Sequence, residues 1–234
     1  MKVKNFKLLT HFTGFIFLLN TISCTQLSFQ SISQDYKKND IFNATLMVMT
    51  LNNSIISQDL QDSIYKEENI IPKPITQQER SYFNNYMGPA LNEYTPAKIF
   101  GIDPLFTADE IKFNYINFPL NSKHTLNMFV PESGTVSYYD LIPNFVLFFD
   151  NLSFKKSFGV QGGSLGSKGQ KTFTMEIELN YCLWDNNNQQ IASYGILTKT
   201  ANLFNYPKKE HYISIFEELA AQIIQESPLV FRSM

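Results

Sequence analysis

From Phe173 to Leu183 the chain alternates without a break: Phe173, Met175, Ile177, Leu179, Tyr181 and Leu183 are apolar, and Thr174, Glu176, Glu178, Asn180 and Cys182 stand between them. A period of two marks a strand with one face on a core. Asp185-Asn186-Asn187-Asn188 follows. Asn and Asp tolerate positive φ and bond their own backbone, so the chain turns there. Ile191 to Thr200 returns as the partner strand. A long antiparallel pair is thereby set, and the rest of the chain has to cover its apolar face.

The covering elements are legible in outline. Ile41 to Leu51, with Phe42, Leu46, Met47, Val48 and Met49, reads as a well-buried strand. Ala97–Ile102, Ile111–Phe118 and His124–Val130 read as shorter ones. Phe145–Phe149 is five apolar residues in succession, the pattern of a central strand covered on both faces. Residues 54–75, with Pro72 and Pro74, read as a surface connection holding one short helical turn at most. Thr76-Gln77-Gln78-Glu79 has the form of a capping box. Phe83, Tyr86, Met87, Ala90, Leu91 and Tyr94 then make one helical stripe, interrupted by Gly88-Pro89. A proline inside a helix removes a hydrogen bond and costs about 3 kcal/mol, which predicts a kink or two short helices. Tyr212, Ile215, Phe216, Leu219, Ala220 and Ile223 form a second stripe between Pro207 and Pro228. No repeat of solenoid or propeller length is present. The class is α+β: a mixed, mainly antiparallel sheet with two helices packed on one face, in a single domain over residues 41–234.

The amino end reads differently. Lys2, Lys4 and Lys7 precede an apolar run from Leu8 to Leu19, and Asn20-Thr21-Ile22-Ser23 leads into Cys24. The run is shorter than the roughly 20 apolar residues of a membrane-spanning helix and suits the core of an export signal that is removed. Residues 1–24 resemble the signal of bacterial lipoproteins. The resemblance implies cleavage after residue 23 and a Cys24 that is thioether-linked to diacylglycerol and acylated on its new amino group. Two or more acyl chains hold a protein stably on a membrane where one does not. Thr21 stands where that class usually has leucine, and Thr21 with Ser23 also suits the ordinary signal peptidase, whose product is soluble. Residues 24–40 are polar and aperiodic and read as a flexible tether with a mean reach of roughly 20 to 25 Å. Thr25 and Gln26 lack the acidic residue that retains many such proteins at the inner membrane, which favours the outer one.

Charge and cysteine content exclude several classes. The formal charge of −2 includes the three signal lysines, so the remaining chain is more acidic still. Lys155-Lys156 and Lys208-Lys209 are isolated pairs rather than the clustered basic face of a nucleic-acid binder. With Cys24 modified, Cys182 is the remaining thiol; it lies inside the alternating strand and reads as a small core hydrophobe. His124 and His211 are far apart in sequence, so neither a metal site nor any other cofactor is signalled.

Gly159, Gly162, Gly163, Gly166 and Gly169 crowd one stretch and read as a mobile connection suited to contacting a partner. Within it, Gly162-Gly163-Ser164-Leu165-Gly166 satisfies G-x-S-x-G, and Asp185 and His211 follow in the order of α/β-hydrolases. A nucleophile elbow requires a strand before the serine and a helix after it, whereas Ser167-Lys168-Gly169-Gln170 leads into a strand. The same stretch lacks the G-K-[ST] end of a phosphate loop. Glu176 and Glu178 share a strand face that reads as solvated, and Trp184 and Tyr139 are candidates for exposed aromatic contacts, with core burial the favoured reading of each. The sequence therefore favours a non-catalytic, membrane-anchored envelope protein that binds a protein partner. An anchored serine hydrolase using Ser164 and a carrier of small apolar ligands are the alternatives.

Overall fold

The computed structural model describes residues 28–37, 41–50, 55–59, 73–74, 77–103, 112–119, 125–137, 141–161, 170–204 and 206–230. The elements in chain order are β1 (Phe29–Ile32), β2 (Thr45–Thr50), β3 (Ile55–Asp59), β4 (Lys73–Pro74), α1 (Gln77–Tyr94), β5 (Lys98–Asp103), β6 (Lys112–Pro119), β7 (Thr125–Ser133), β8 (Phe145–Gln161), β9 (Gln170–Asp185), β10 (Gln190–Leu203) and α2 (Lys209–Gln225). The main sheet runs β1-β10-β9-β8-β2-β5. Its β1/β10, β10/β9 and β9/β8 pairs are antiparallel, while β8/β2, β2/β5 and β8/β3 are parallel. Past β2, β3 continues along the same edge of β8, from Ile55 opposite Leu152 to Asp59 opposite Lys156. This is the α+β arrangement expected from the sequence.

Both helices pack on one face. Phe83, Met87, Ala90 and Leu91 of α1 join Ile215, Phe216, Leu219 and Ile223 of α2 against Leu46, Val48, Leu147, Phe149, Ile177 and Leu179. The aromatic residues that suggested a ligand carrier meet one another edge to face here: the Phe83 ring lies 5.3 Å from Phe149 and 5.7 Å from Phe216. The Gly88-Pro89 step does not divide α1, which is one helix of 18 residues with Pro89 inside it. Burial of Met87 on one side of the step and of Ala90 and Leu91 on the other outweighs the lost hydrogen bond. Thr76 lies outside the described residues. Glu79, expected to serve the cap, is buried and forms an ion pair with Lys156 of β8.

A third layer was not expected. β6 and β7 form a separate antiparallel hairpin that covers the opposite face of the sheet. Leu126, Met128 and Val130 pack on Cys182, while Phe113 packs on the cluster of Met47, Met49, Val146, Phe148 and Trp184. Phe145–Phe149 is therefore covered on both faces as its composition predicts: Phe145, Leu147 and Phe149 face the helices, Val146 and Phe148 the hairpin layer. The hairpin also explains why β9 stops alternating in burial after Glu178; from Asn180 onward both of its faces are covered.

Three expected boundaries shift. The tether does not run to residue 40, because Phe29–Ile32 pairs with Ile196–Ser193 as an edge strand and the buried Tyr36 belongs to the core. The strand expected from Ile41 begins at Thr45, leaving Phe42 exposed. The connection over 54–75 supplies β3 and β4, and residues 60–72, where the helical turn would fall, lie outside the described residues. Gly195 makes the β1 pairing feasible: a Cβ there would stand 2.5 Å from the Phe29 carbonyl oxygen and 2.9 Å from the Tyr181 ring. Gly195→Ala is expected to destabilise the fold by about 1 to 3 kcal/mol, the usual cost of overpacking. Urea unfolding would measure that loss, and hydrogen exchange should show Phe29–Ile32 opening first.

Candidate interaction surface

The β9–β10 turn gathers three chain segments at one end of the sheet, the apex. Asp185 closes the turn. Its Oδ1 accepts the Asn187 and Asn188 backbone N–H groups at 2.9 Å each, and its Oδ2 accepts Tyr36 Oη at 2.6 Å and Asn188 Nδ2 at 2.8 Å. The positive φ of the turn falls on Gln189 (51°) rather than on one of the three asparagines. Asn186, 1% exposed, binds the segment before β8: its Oδ1 accepts Val136 N at 2.7 Å, and its Nδ2 donates to Val136 O at 2.9 Å and Pro143 O at 2.8 Å. Asn144 Oδ1 accepts both the backbone N–H (2.8 Å) and the hydroxyl (2.9 Å) of Thr45. The segments entering β2 and β8 are thus joined side by side.

This frame presents apolar side chains to solvent. Phe42 is 48% exposed, Leu141 49% and Ile142 62%. They sit on the two segments that Thr45 and Asn144 tie together, ahead of the parallel register that pairs Leu46 with Phe145. Large apolar groups held out on a hydrogen-bonded frame suit a binding surface. A second exposed pair, Tyr115 and Phe129, stacks at 4.8 Å on the hairpin, where Asp150 Oδ2 accepts the Phe129 N–H at 2.9 Å. Sequence reading missed the apex. It assigned Phe42 to a buried strand and passed over Leu141-Ile142, whose signal is an apolar pair directly before Pro143-Asn144 and outside any periodic run.

The residues singled out from sequence are dispersed. Cys24, Ser164, Gly162, Gly163, Gly166, Gly169, His124 and Tyr139 lie outside the described residues. Gly159 belongs to β8, opposite Thr172 of β9. Asp185 and His211 are not brought together: Asp185 is at the apex, whereas His211 lies beside Asn202, Leu203 and Phe204 at the far end of β10. A strand of 14 residues separates the two ends, on the order of 40 Å, so the order resembling a hydrolase triad corresponds to no shared site. His211 Nδ1 instead accepts the Lys208 N–H at 2.9 Å. Glu176 and Glu178 bind Lys155 at 3.0 and 3.1 Å on the outer face of the sheet. Trp184 is buried in the hairpin layer, the favoured reading of its sequence context. Cys182 is buried, and burial pushes its thiol pKa far up, which disfavours the reactive thiolate. Among the described residues no helix is long and apolar enough to cross a membrane.

No protein-family profile and no curated protein matches the sequence. Solved structures share its outline remotely. A PelC dodecamer from Paraburkholderia phytofirmans is 14% identical over 89% of this chain and 99% of that one, with a TM-score of 0.42. A Xanthomonas campestris protein of the DUF330 family is 10% identical over 81% and 89%, with a TM-score of 0.42. A Helicobacter pylori neuraminyllactose-binding hemagglutinin homolog is 12% identical over 80% and 86%, with a TM-score of 0.33. At that distance the likeness carries no argument about function.

Asn186→Ala would strip hydrogen bonds from three buried backbone groups and is expected to cost at least about 2 kcal/mol, read by chemical denaturation. The apex also sets an alkaline limit. Burial, and next the hydrogen bond to Asp185, raise the Tyr36 pKa to about 12, and burial raises that of Tyr212 to about 12. A phenol whose pKa is higher folded than unfolded adds stability that is complete below its unfolded value and lost as pH climbs through the folded one. Stability should therefore fall between about pH 10 and pH 12, and Tyr36→Phe should flatten that decline in thermal melts run across the interval.

Proposed function

We propose that this chain is a lipid-anchored envelope protein that acts without catalysis, as an interaction or assembly subunit. The observation that carries the interaction role is the apex: Phe42, Leu141 and Ile142 stand in solvent on a frame of internal hydrogen bonds. The anchor rests on the amino-terminal sequence, with Cys24 as the acylated residue and the outer membrane as the favoured location. The glycine-rich connection between β8 and β9 remains part of this reading as a second contact element. The partner is a protein presenting a complementary apolar surface, because aromatic and aliphatic anchors concentrate the energy of such interfaces.

Two measurements test the two halves separately. Intact mass of the protein taken from membranes should show Cys24 as the first residue with diacylglycerol and an acyl chain, and Cys24→Ala should leave the membrane fraction. Photo-crosslinking from position 142 in intact envelopes should give a discrete adduct that position 78 on α1 does not, and Ile142→Asp should abolish binding with an unchanged melting temperature. Equal labelling from both positions would refute the apical interface.

A further inference from the structure

The basal end of the molecule, opposite the apex, carries a second set of exposed side chains. β10 ends at Leu203, and the turn into α2 holds Phe204 at 68% and Tyr206 at 59% exposure. Lys208 and Lys209 follow, both exposed, against the single acid Glu210. The Tyr206 ring is braced edge to face by Phe173 of β9 at 5.8 Å, and the Lys209 ammonium lies 4.9 Å from the centre of the Tyr86 ring on α1. Phe204, Lys208 and His211 line a half-open groove with Asn202 and Leu203. Pro207 is buried beneath them, so the turn is supported from within while its aromatic rings face outward.

The direction of β1 says what meets this surface. β1 is antiparallel to β10, with Phe29 opposite Ile196 and Ile32 opposite Ser193, so the chain before Phe29 leaves toward the Leu203 end. From Ile196 to Leu203 is roughly 24 Å along the strand. Four residues lie between Cys24 and Phe29, and the five steps from one to the other span at most roughly 17 Å. Ser28 already follows the same line, its Oγ accepting the Thr198 N–H at 3.4 Å. Were Cys24 acylated as proposed, so short a link would bring the bilayer to the basal turn, and the body could not stand clear of the surface as a longer tether would allow.

We infer that the basal turn is a membrane-surface contact, in which Phe204 and Tyr206 enter the headgroup region while Lys208 and Lys209 meet anionic headgroups. The inference rests on the anchor proposed above. Amphipathic aromatic rings settle at the membrane–water interface, and lysines beside an anionic leaflet are drawn to it. An anchor and a surface patch acting together restrict rotation of the body about the tether, holding the apex toward the far side.

The test uses the acylated mature chain in vesicles, with an environment-sensitive fluorophore on Asn202→Cys or, as the apical control, on Asn187→Cys; Cys182 is buried and stays unlabelled. Flotation with the vesicles reports the anchor independently. The expected result is a blue shift and loss of iodide quenching at position 202 with none at 187. Lys208→Glu with Lys209→Glu should shrink that shift in vesicles containing phosphatidylglycerol and leave it unchanged in phosphatidylcholine alone. Flotation with equal quenching at both positions would overturn the basal contact and leave the anchor standing. A shift at 202 that grows with protein concentration without vesicles would assign the surface to a second copy of the chain, overturning the membrane contact. Failure to float would remove the anchor and this inference with it.

Discussion

Everything in this fold is arranged around the covering of Phe145–Phe149 on both faces. A strand with apolar side chains above and below cannot lie at a boundary; it needs a layer on each side. The helices supply one, and the β6–β7 hairpin, inserted between β5 and β8, supplies the other. β8 is accordingly partnered along both edges, by β9 on one side and by β2 followed by β3 on the other. Beyond the bulge at Asp150 and Asn151, where two residues oppose Asn180 and Asn151 takes a φ of 140°, its outer side chains turn polar. There Lys155 meets Glu176 and Glu178. The three-layered half of the molecule is thus the rigid one, and the apex is built on it.

The same constraint gives the body two unlike ends. At the apex, polar side chains of Asp185, Asn186 and Asn144 are spent internally, largely on backbone groups, while Phe42, Leu141 and Ile142 face solvent beside the exposed polar turn of Asn187, Asn188 and Gln189. At the base, the ends of β9 and β10 and the beginning of α2 converge on a turn where Phe204 and Tyr206 are followed by Lys208 and Lys209. With the anchor proposed at the basal end, an apolar surface at the other would suit a role in bringing a second component to a membrane.

How much of this was readable follows from how local each determinant is. β9, its turn and β10 were legible because period-two alternation and Asp-Asn turns are properties of adjacent residues. Both helices were legible through their stripes, and Phe145–Phe149 announced its double burial. β1 was not, since Phe29-Gln30-Ser31-Ile32 has the polarity of a linker. It becomes a strand through distant partners: Gln30 Nε2 donates to Tyr181 Oη and to the Gln222 carbonyl, both at 2.8 Å, and Gly195 clears the space. Length was hidden for the same reason. β8 continues to Gln161, and on the way Lys155 finds Glu176 and Glu178 of β9 and Lys156 finds Glu79 of α1, pairings that no local pattern records. The apical surface escaped because its apolar residues lie outside every periodic run, and the G-x-S-x-G match misled because a short motif carries no information about where its companions in sequence end up in space.

The antiparallel pairing of β1 also has a mechanical meaning. A pull on the amino terminus acts along the strand axis, toward the end at which Leu203 lies, so the β1/β10 hydrogen bonds are loaded together in shear rather than opened one at a time like a zip. Four residues coupled in that way, with Gln30 pinned to α2 as well as to β9, resist extraction far better than a strand of equal length attached end-on. Were Cys24 acylated as proposed, this edge strand would be the element through which drag on the body is transmitted to the lipid.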